Sequence, residues 1–166
     1  ALHCYEEVLE QFSPDADLYM RIGQCHFHLN ETRKARNCFT HAILLDPLND
    51  EVLYHVGACF SKEQKWQQAI EFYKRAIEIE DRREEYWLEL GIAYQQIGQF
   101  AAAENCFVEA TEIAPEQPIY WFQYAKFLID RGRENEAFSL LEEAQDYSVG
   151  AELIYCQSAC CFALGD

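Results

Sequence analysis

Large apolar, small and polar side chains recur along this chain with a period of 34 residues. Counting from Ala16 as position 1, successive repeats cover residues 16–49, 50–83, 84–117 and 118–150. In the third repeat Trp87, Leu90, Gly91 and Tyr94 occupy positions 4, 7, 8 and 11, and Ala103, Phe107, Ala110 and Pro115 occupy positions 20, 24, 27 and 32. The first repeat fills the same positions with Tyr19, Ile22, Gly23, His26, Ala35, Phe39, Ala42 and Pro47, and the second with Leu53, Val56, Gly57, Phe60, Ala69, Tyr73, Ala76 and Asp81. The fourth drifts, reading Trp121, Tyr124, Ala125, Leu128, Ala137, Leu141 and Ala144. Steps of three and four place positions 4, 7, 8 and 11 on one face of a first helix and positions 20, 24 and 27 on one face of a second. Small residues at 8 and 20 let the two backbones approach, while the large side chains at 4, 11 and 24 fill the space between successive pairs. Gly98 and Gly132 mark the turn within a pair, and Pro47 and Pro115 stop second helices. No strand-like alternation or hairpin dipeptide competes.

This pattern resembles the tetratricopeptide repeat (TPR), and the resemblance covers essentially the whole chain. It implies an all-α fold, a right-handed α-solenoid of antiparallel helix pairs, one pair for each 34-residue unit. Residues 1–15 read as the second helix of a partial repeat, with Cys4-Tyr5 matching Cys38-Phe39 and Cys106-Phe107, and residues 151–166 as a first helix only. Both ends therefore look cut within a repeat. Two explanations stand: a longer array or a self-associating surface, or end helices that act as caps.

Charge narrows the class of partner. With 13 Lys+Arg against 29 Asp+Glu the formal net charge is −16, which argues against nucleic acid, because phosphate binding needs a clustered positive footprint. No window approaches the roughly 18 apolar residues of a spanning helix, and the first ten residues lack the basic and apolar regions of a signal peptide. The expectation is a soluble chain without a membrane partner.

Eight cysteines raise the question of a disulfide scaffold. Six of them fall at two repeat positions, Cys4, Cys38 and Cys106 at 23 and Cys25, Cys59 and Cys160 at 10. Recurrence with the repeat marks packing, where a free thiol acts as a small hydrophobe, and retained thiols favour the reducing cytoplasm. His55 and Cys59, four residues apart on one helix, form the sharpest nucleophile candidate, since an imidazole can activate a thiolate. No third orienting group accompanies them, and position 10 points inward. Cys25, His26 and His28 lack the paired spacing of zinc ligands, and His26 fills an apolar position. The expectation is no enzyme, no cofactor and no metal, with a thiol enzyme as the remote alternative.

A partner-binding surface follows from what packing leaves over. Positions 5, 9 and 12 of the first helix share another stripe. Position 5 carries Met20, Tyr54, Leu88, Phe122 and Tyr155, a ladder of large apolar side chains. Position 9 adds Gln24, Ala58, Ile92 and Lys126, and position 12 adds Phe27 in the first repeat. An exposed apolar ladder marks an interaction surface, open to a peptide or covered by a further part of a longer chain or by a second copy. Arg21, His55, Glu89 and Gln123 at position 6 are placed to select among partners. Asp17, Glu51, Glu85 and Glu152 at position 2 complement the helix dipole and also suit a partner with basic flanks.

Within the TPR family, one branch clamps the terminal carboxylates of heat-shock chaperones with lysine at position 5, asparagine at 9 and 6, and lysine and arginine at 2 and 6. Here Met20 or Tyr54 stands at position 5 and acids at position 2, so that clamp is absent. In surface character the ladder is similar to the groove of TPR secretion chaperones. The expected role is a protein-interaction scaffold or chaperone-like adaptor that binds a peptide with apolar anchors in its concave groove. The alternative is a structural, self-associating segment of a longer TPR protein.

Overall fold

The computed structural model describes residues 15–147. Among them lie eight α-helices and no strand: α1 (Ala16–His28), α2 (Thr32–Leu45), α3 (Asp50–Lys62), α4 (Trp66–Ile79), α5 (Glu84–Gln96), α6 (Phe100–Ile113), α7 (Pro118–Asp130) and α8 (Glu134–Ala144). The first helices start at Ala16, Asp50, Glu84 and Pro118, which recur every 34 residues. The chain divides into two compact units, Ala1–Asp81 and Arg82–Asp166, so α1–α4 and α5–α8 are treated separately. All but the last residue of the reading of 1–15, and the whole of that of 151–166, with Cys4, Cys160, Glu152 and Tyr155, lie outside the described residues.

Helix starts have local causes. The side chains of Asp15 and Asn49 accept hydrogen bonds from the backbone N–H groups of Leu18 and Val52, at 2.8 and 3.0 Å. Each fills one of the orphan donors of a helix N-terminus. Pro118 opens α7 at a position where no donor is needed.

The turn within every pair is one motif. The N–H of position 16 reaches back to the carbonyl of position 11, as in Glu31 to His26 and Lys65 to Phe60, both at 2.9 Å, and Gln99 to Tyr94 and Arg133 to Leu128, both at 3.0 Å. The N–H of position 15 closes on position 12 in all four pairs. This bonding forces position 15 into the left-handed region, and φ is +64° at Asn30, +58° at Gln64, +77° at Gly98 and +69° at Gly132. Two of the four turns thus lack the glycine that marks the others. Second helices end at Leu45, Ile79 and Ile113, where the N–H of Asp46, Glu80 and Ala114 closes on the alanine carbonyl at position 27. The helix before Asp81 ends at the same place as those before Pro47 and Pro115, so proline reinforces the stop without being its cause.

Inside the first unit, Ala35, Phe39, Ala42, Ala69, Tyr73 and Ala76 are fully buried. Burying a side chain of the size of Phe39 contributes about 1.5–3 kcal/mol. Its ring lies where a side chain at Gly23 would be: a Cβ there would stand 2.5 Å from Phe39 Cε1. In the second unit Phe107, Trp121, Ala125, Phe127, Leu128, Ala137 and Leu141 form one buried cluster. Ala125 replaces glycine in the fourth repeat, where Leu141 replaces the aromatic ring at position 24. A larger residue on one helix is matched by a narrower one on its mate.

Candidate functional site

In the first unit, α1 carries Met20, Arg21, Gln24 and Phe27, and α3 carries Tyr54, His55 and Ala58. All are half-buried except Arg21, which is exposed. Gln24 ties the two helices together. Its Nε2 donates to Glu51 Oε1 at 3.1 Å and lies 3.0 Å from His55 Nε2. An amide nitrogen can only donate, so His55 accepts at Nε2 and carries its proton on Nδ1. The imidazole stacks on Phe39, with centroids 5.1 Å apart and planes 11° from parallel, and touches the rings of Tyr54 and Phe27. Burial lowers the His55 pKa from its ordinary value, and nearby Glu51 opposes that shift.

In the first unit both position 6 residues, Arg21 and His55, are therefore engaged within the fold. His55 is a strut between α1 and α3, and Arg21 Nε donates to Asp17 Oδ2 at 2.8 Å along one helix. Glu51 of the acidic rail holds Gln24 as well as complementing its helix dipole. Phe27 lies under Lys62, whose Nζ stands 3.7 Å from the ring centroid and donates to the Phe27 carbonyl at 3.2 Å. Tyr54 meets the Tyr73 ring at 5.8 Å, and Ser61 and Tyr73 share a hydrogen bond of 3.0 Å.

In the second unit, Leu88, Ile92 and Phe122 are partly buried and pack against the core cluster. Leu88 also borders Ala110, Ala114 and Tyr120. Glu89 and Gln123 are half-buried and Lys126 is exposed. The apolar ladder expected to stand free is thus sunk to half its depth: Met20, Tyr54, Leu88 and Phe122 each offer one side to the outside and lean the other on their own unit. The physical reason is the small residue at position 8, which lets the position 24 ring of the mate helix reach the stripe, as where Tyr54 leans on Tyr73. Position 3, on the other flank of the packed face, is buried too, with Val52, Tyr86 and Tyr120 at most 5% exposed. Tyr19 and Trp87 at position 4 are only half-buried. The signal was present in Leu18, Val52, Tyr86 and Tyr120, large apolar residues at position 3 of every repeat, four before position 7.

A guanidinium-carboxylate junction also went unread in the sequence. Arg133 binds Glu104 through two nitrogens at 2.7 and 2.9 Å and Glu136 at 2.8 and 2.7 Å. Its hydrogen bonds hold both carboxyls below the usual range. Tyr124 donates to Glu104 at 3.2 Å, and burial, with the Glu104 charge, pushes its hydroxyl up to about 12. The cluster joins α6 to the start of α8.

The thiol candidate does not assemble. Cys59 is fully buried, and burial pushes its thiol up to about 12. His55 spends its Nε2 on the Gln24 amide. Cys106 is raised to about 12 in the same way. His26 is buried, and its Nδ1 lies 2.6 Å from Glu31 Oε2, an interaction that lowers the Glu31 carboxyl. Among the described residues no group of three His, Cys, Asp or Glu side chains could hold a metal ion, and no helix is long and apolar enough to cross a membrane.

The family model of the cilia and flagella-associated protein 70 C-terminal domain, a TPR domain, matches residues 6–153. The chain has no significant sequence match among curated proteins. Among solved structures it is similar to MamA, with a TM-score of 0.79 and 18% identity over 88% of this chain and 85% of that one. It is also similar to YrrB, described as a TPR protein with an unusual peptide-binding site, with a TM-score of 0.78 and 18% identity over 99% and 85%. A third is a tetratricopeptide repeat protein from Parabacteroides merdae, with a TM-score of 0.76 and 20% identity over 98% and 64%. At these identities the likeness establishes the fold, helix pairs of the TPR type.

Proposed function

The chain belongs to the family of the cilia and flagella-associated protein 70 C-terminal domain, and from that premise we propose that it is a protein-binding module of a cilium- or flagellum-associated protein. It takes peptide segments with apolar anchors, on Met20 and Tyr54 in the first unit and on Leu88 and Phe122 in the second. One observation carries this reading: position 5 holds a large apolar side chain in each described repeat, half-accessible, although the neighbouring packed positions already fill the core. The peptide-binding site in the description of YrrB supports it by analogy of fold. Lys126, exposed beside Phe122, and Glu51, beside Tyr54, give the two units different polar borders, so a partner with basic flanks suits the first. An adaptor or chaperone-like role in the cytoplasm agrees with the free thiols of Cys25, Cys38, Cys59 and Cys106.

Selection from a random dodecapeptide display library tests the proposal. Selected peptides should share apolar anchors. Tyr54→Ala and Phe122→Ala should each weaken them by about 2 kcal/mol, as for a central anchor, with the helical circular dichroism retained. Unchanged affinity in both variants defeats the assignment. Mass measurement over a dilution series separates peptide capture from self-association, because an obligate dimer persists at low concentration.

A further inference from the structure

Four of the chain's 13 basic residues meet in one open groove of about 810 Å³ in the first unit, where Arg33, Lys34, Arg36 and Lys65 stand with Glu31 and Glu63. It lies at the turns that begin α2 and α4 and shares no lining residue with the apolar stripe. Two carboxylates serve these four cations. Lys34 Nζ meets Glu31 at 3.1 Å, while Arg36 and Lys65 both meet Glu63 Oε2, at 3.2 and 2.7 Å. Arg33 makes no ion pair among the described residues. The groove therefore carries two positive charges beyond its internal pairs, in a chain whose net charge is −16.

The fold does not demand this charge. Arg33, Lys34 and Arg36 occupy positions 18, 19 and 21, where the other repeats carry Gln67, Gln68 and Ile70, then Ala101, Ala102 and Glu104, then Asn135, Glu136 and Phe138. Helices α4, α6 and α8 form without them. The geometry also adds to the positive field. Helix α2 starts at the groove, and its N-cap Glu31 makes no side-chain cap bond, which leaves its first N–H groups and the positive end of its dipole there. The Glu63 carboxyl is held below its ordinary range by Lys65 first and then by Arg36 and Arg33, so it stays ionised and occupied by its own cations.

We propose that this groove docks an acidic segment of a partner protein, with neighbouring carboxylates of that segment pairing with Arg33, Lys34 and Arg36. Arg36 is the anchor of the three, because its side chain is 26% exposed and its guanidinium lies 5.0 Å above the Phe60 ring, which limits its freedom before binding. Arg33 and Lys34 are exposed and supply attraction. The acidic remainder of the chain does not prevent docking, since the screening length is about 8 Å at physiological salt and the groove's own charge dominates at contact. The same screening makes the interaction sensitive to salt.

The probe is a fluorescent octaglutamate peptide, read by anisotropy against the whole chain at 50 mM NaCl, with octaglutamine as the neutral control. Octaglutamate should bind and octaglutamine should not. Arg33→Glu should weaken binding about tenfold, and Lys34→Gln about threefold, the scale of exposed ion pairs. Lys74→Glu, an exposed site in the same unit with the same change of net charge, should weaken it less than about twofold, because bulk charge at a distance is screened. Retained helical circular dichroism certifies each variant. The proposal is overturned if octaglutamate fails to bind, if Arg33→Glu and Lys74→Glu weaken it equally, or if inorganic phosphate displaces the peptide beyond a chloride control of equal ionic strength, which marks a small-anion site.

Discussion

The ring of Tyr73 lies directly on Gly57, so close that a Cβ at Gly57 would stand 2.6 Å from Cε1 and 2.7 Å from Cδ1. Tyr73 cannot easily retreat, being fully buried with its hydroxyl bonded to Ser61. Alanine at position 57 gains about 1 kcal/mol of helix propensity over glycine, but overpacking of a fixed ring costs about 1–3 kcal/mol. Gly57→Ala should lower the stability measured by urea unfolding, by up to about 2 kcal/mol. At Gly91 the nearest atoms are 3.1–3.3 Å away, and Gly91→Ala should fall within about 1 kcal/mol of zero. Equal losses at both sites would sever the link between ring contact and the small residue.

The turn motif yields a stabilising substitution. Gln64 sits at φ +58°, where a side chain costs about 1–2 kcal/mol and glycine costs none, less the greater freedom of glycine in the unfolded chain, about 0.4–1 kcal/mol. Gln64→Gly should therefore raise stability, by up to about 1.6 kcal/mol. Asn30→Gly, starting from a residue that tolerates this region, should change it by less than about 0.5 kcal/mol. A destabilising Gln64→Gly would mean that the Gln64 side chain contributes more than its strained backbone costs.

The helix pairs were legible because size itself repeats: glycine or alanine at position 8 faces an aromatic or leucine at position 24. The turns were legible only where glycine marks them, since at Asn30 and Gln64 backbone hydrogen bonds impose a conformation the residue type does not advertise. Position 3 was missed because a helical stripe was assigned four positions when Val52, Tyr86 and Tyr120 widen it to five. The polar residues of the proposed site misled for a different reason. Gln24, Glu51 and His55 are 27 and 31 residues apart in sequence, and no spacing rule within one helix can reveal a bond between two. The same holds for Arg133 and Glu104, 29 residues apart.

The His55 strut makes stability depend on pH. Burial places its folded pKa below the ordinary value of 6.5, and the groups facing it are Glu51, His28 and Gln24. The unfolded chain thus binds a proton at His55 that the folded chain resists. Its contribution is complete above about pH 6.5 and is lost as pH falls from there through the folded pKa. His55→Gln should cost stability at pH 7.5 and should also flatten the decline between pH 7 and 5, by at most about 1.4 kcal/mol per pH unit, one proton's worth. Chemical denaturation of both proteins across that range checks it. An identical slope in the variant would remove His55 as the source, and the lowered carboxyls of Glu31, Glu63, Glu104 and Glu136 act only below about pH 4.5.

The cysteines offer a kinetic test of the packed interior. With its thiol pushed up to about 12, Cys59 is ionised in roughly three molecules per 10⁵ at pH 7.5, against about one in ten for a free cysteine. Cys106 is raised equally, while Cys25 and Cys38 are half-exposed. Iodoacetamide followed by peptide mapping should label Cys25 and Cys38 first. Cys59 and Cys106 should react only as fast as their helices open, and both rates should rise in the destabilised Gly57→Ala protein, Cys59 more steeply because it shares a unit with the substitution. Labelling of Cys59 faster than a free cysteine would revive it as a nucleophile and count against a purely structural thiol at position 10.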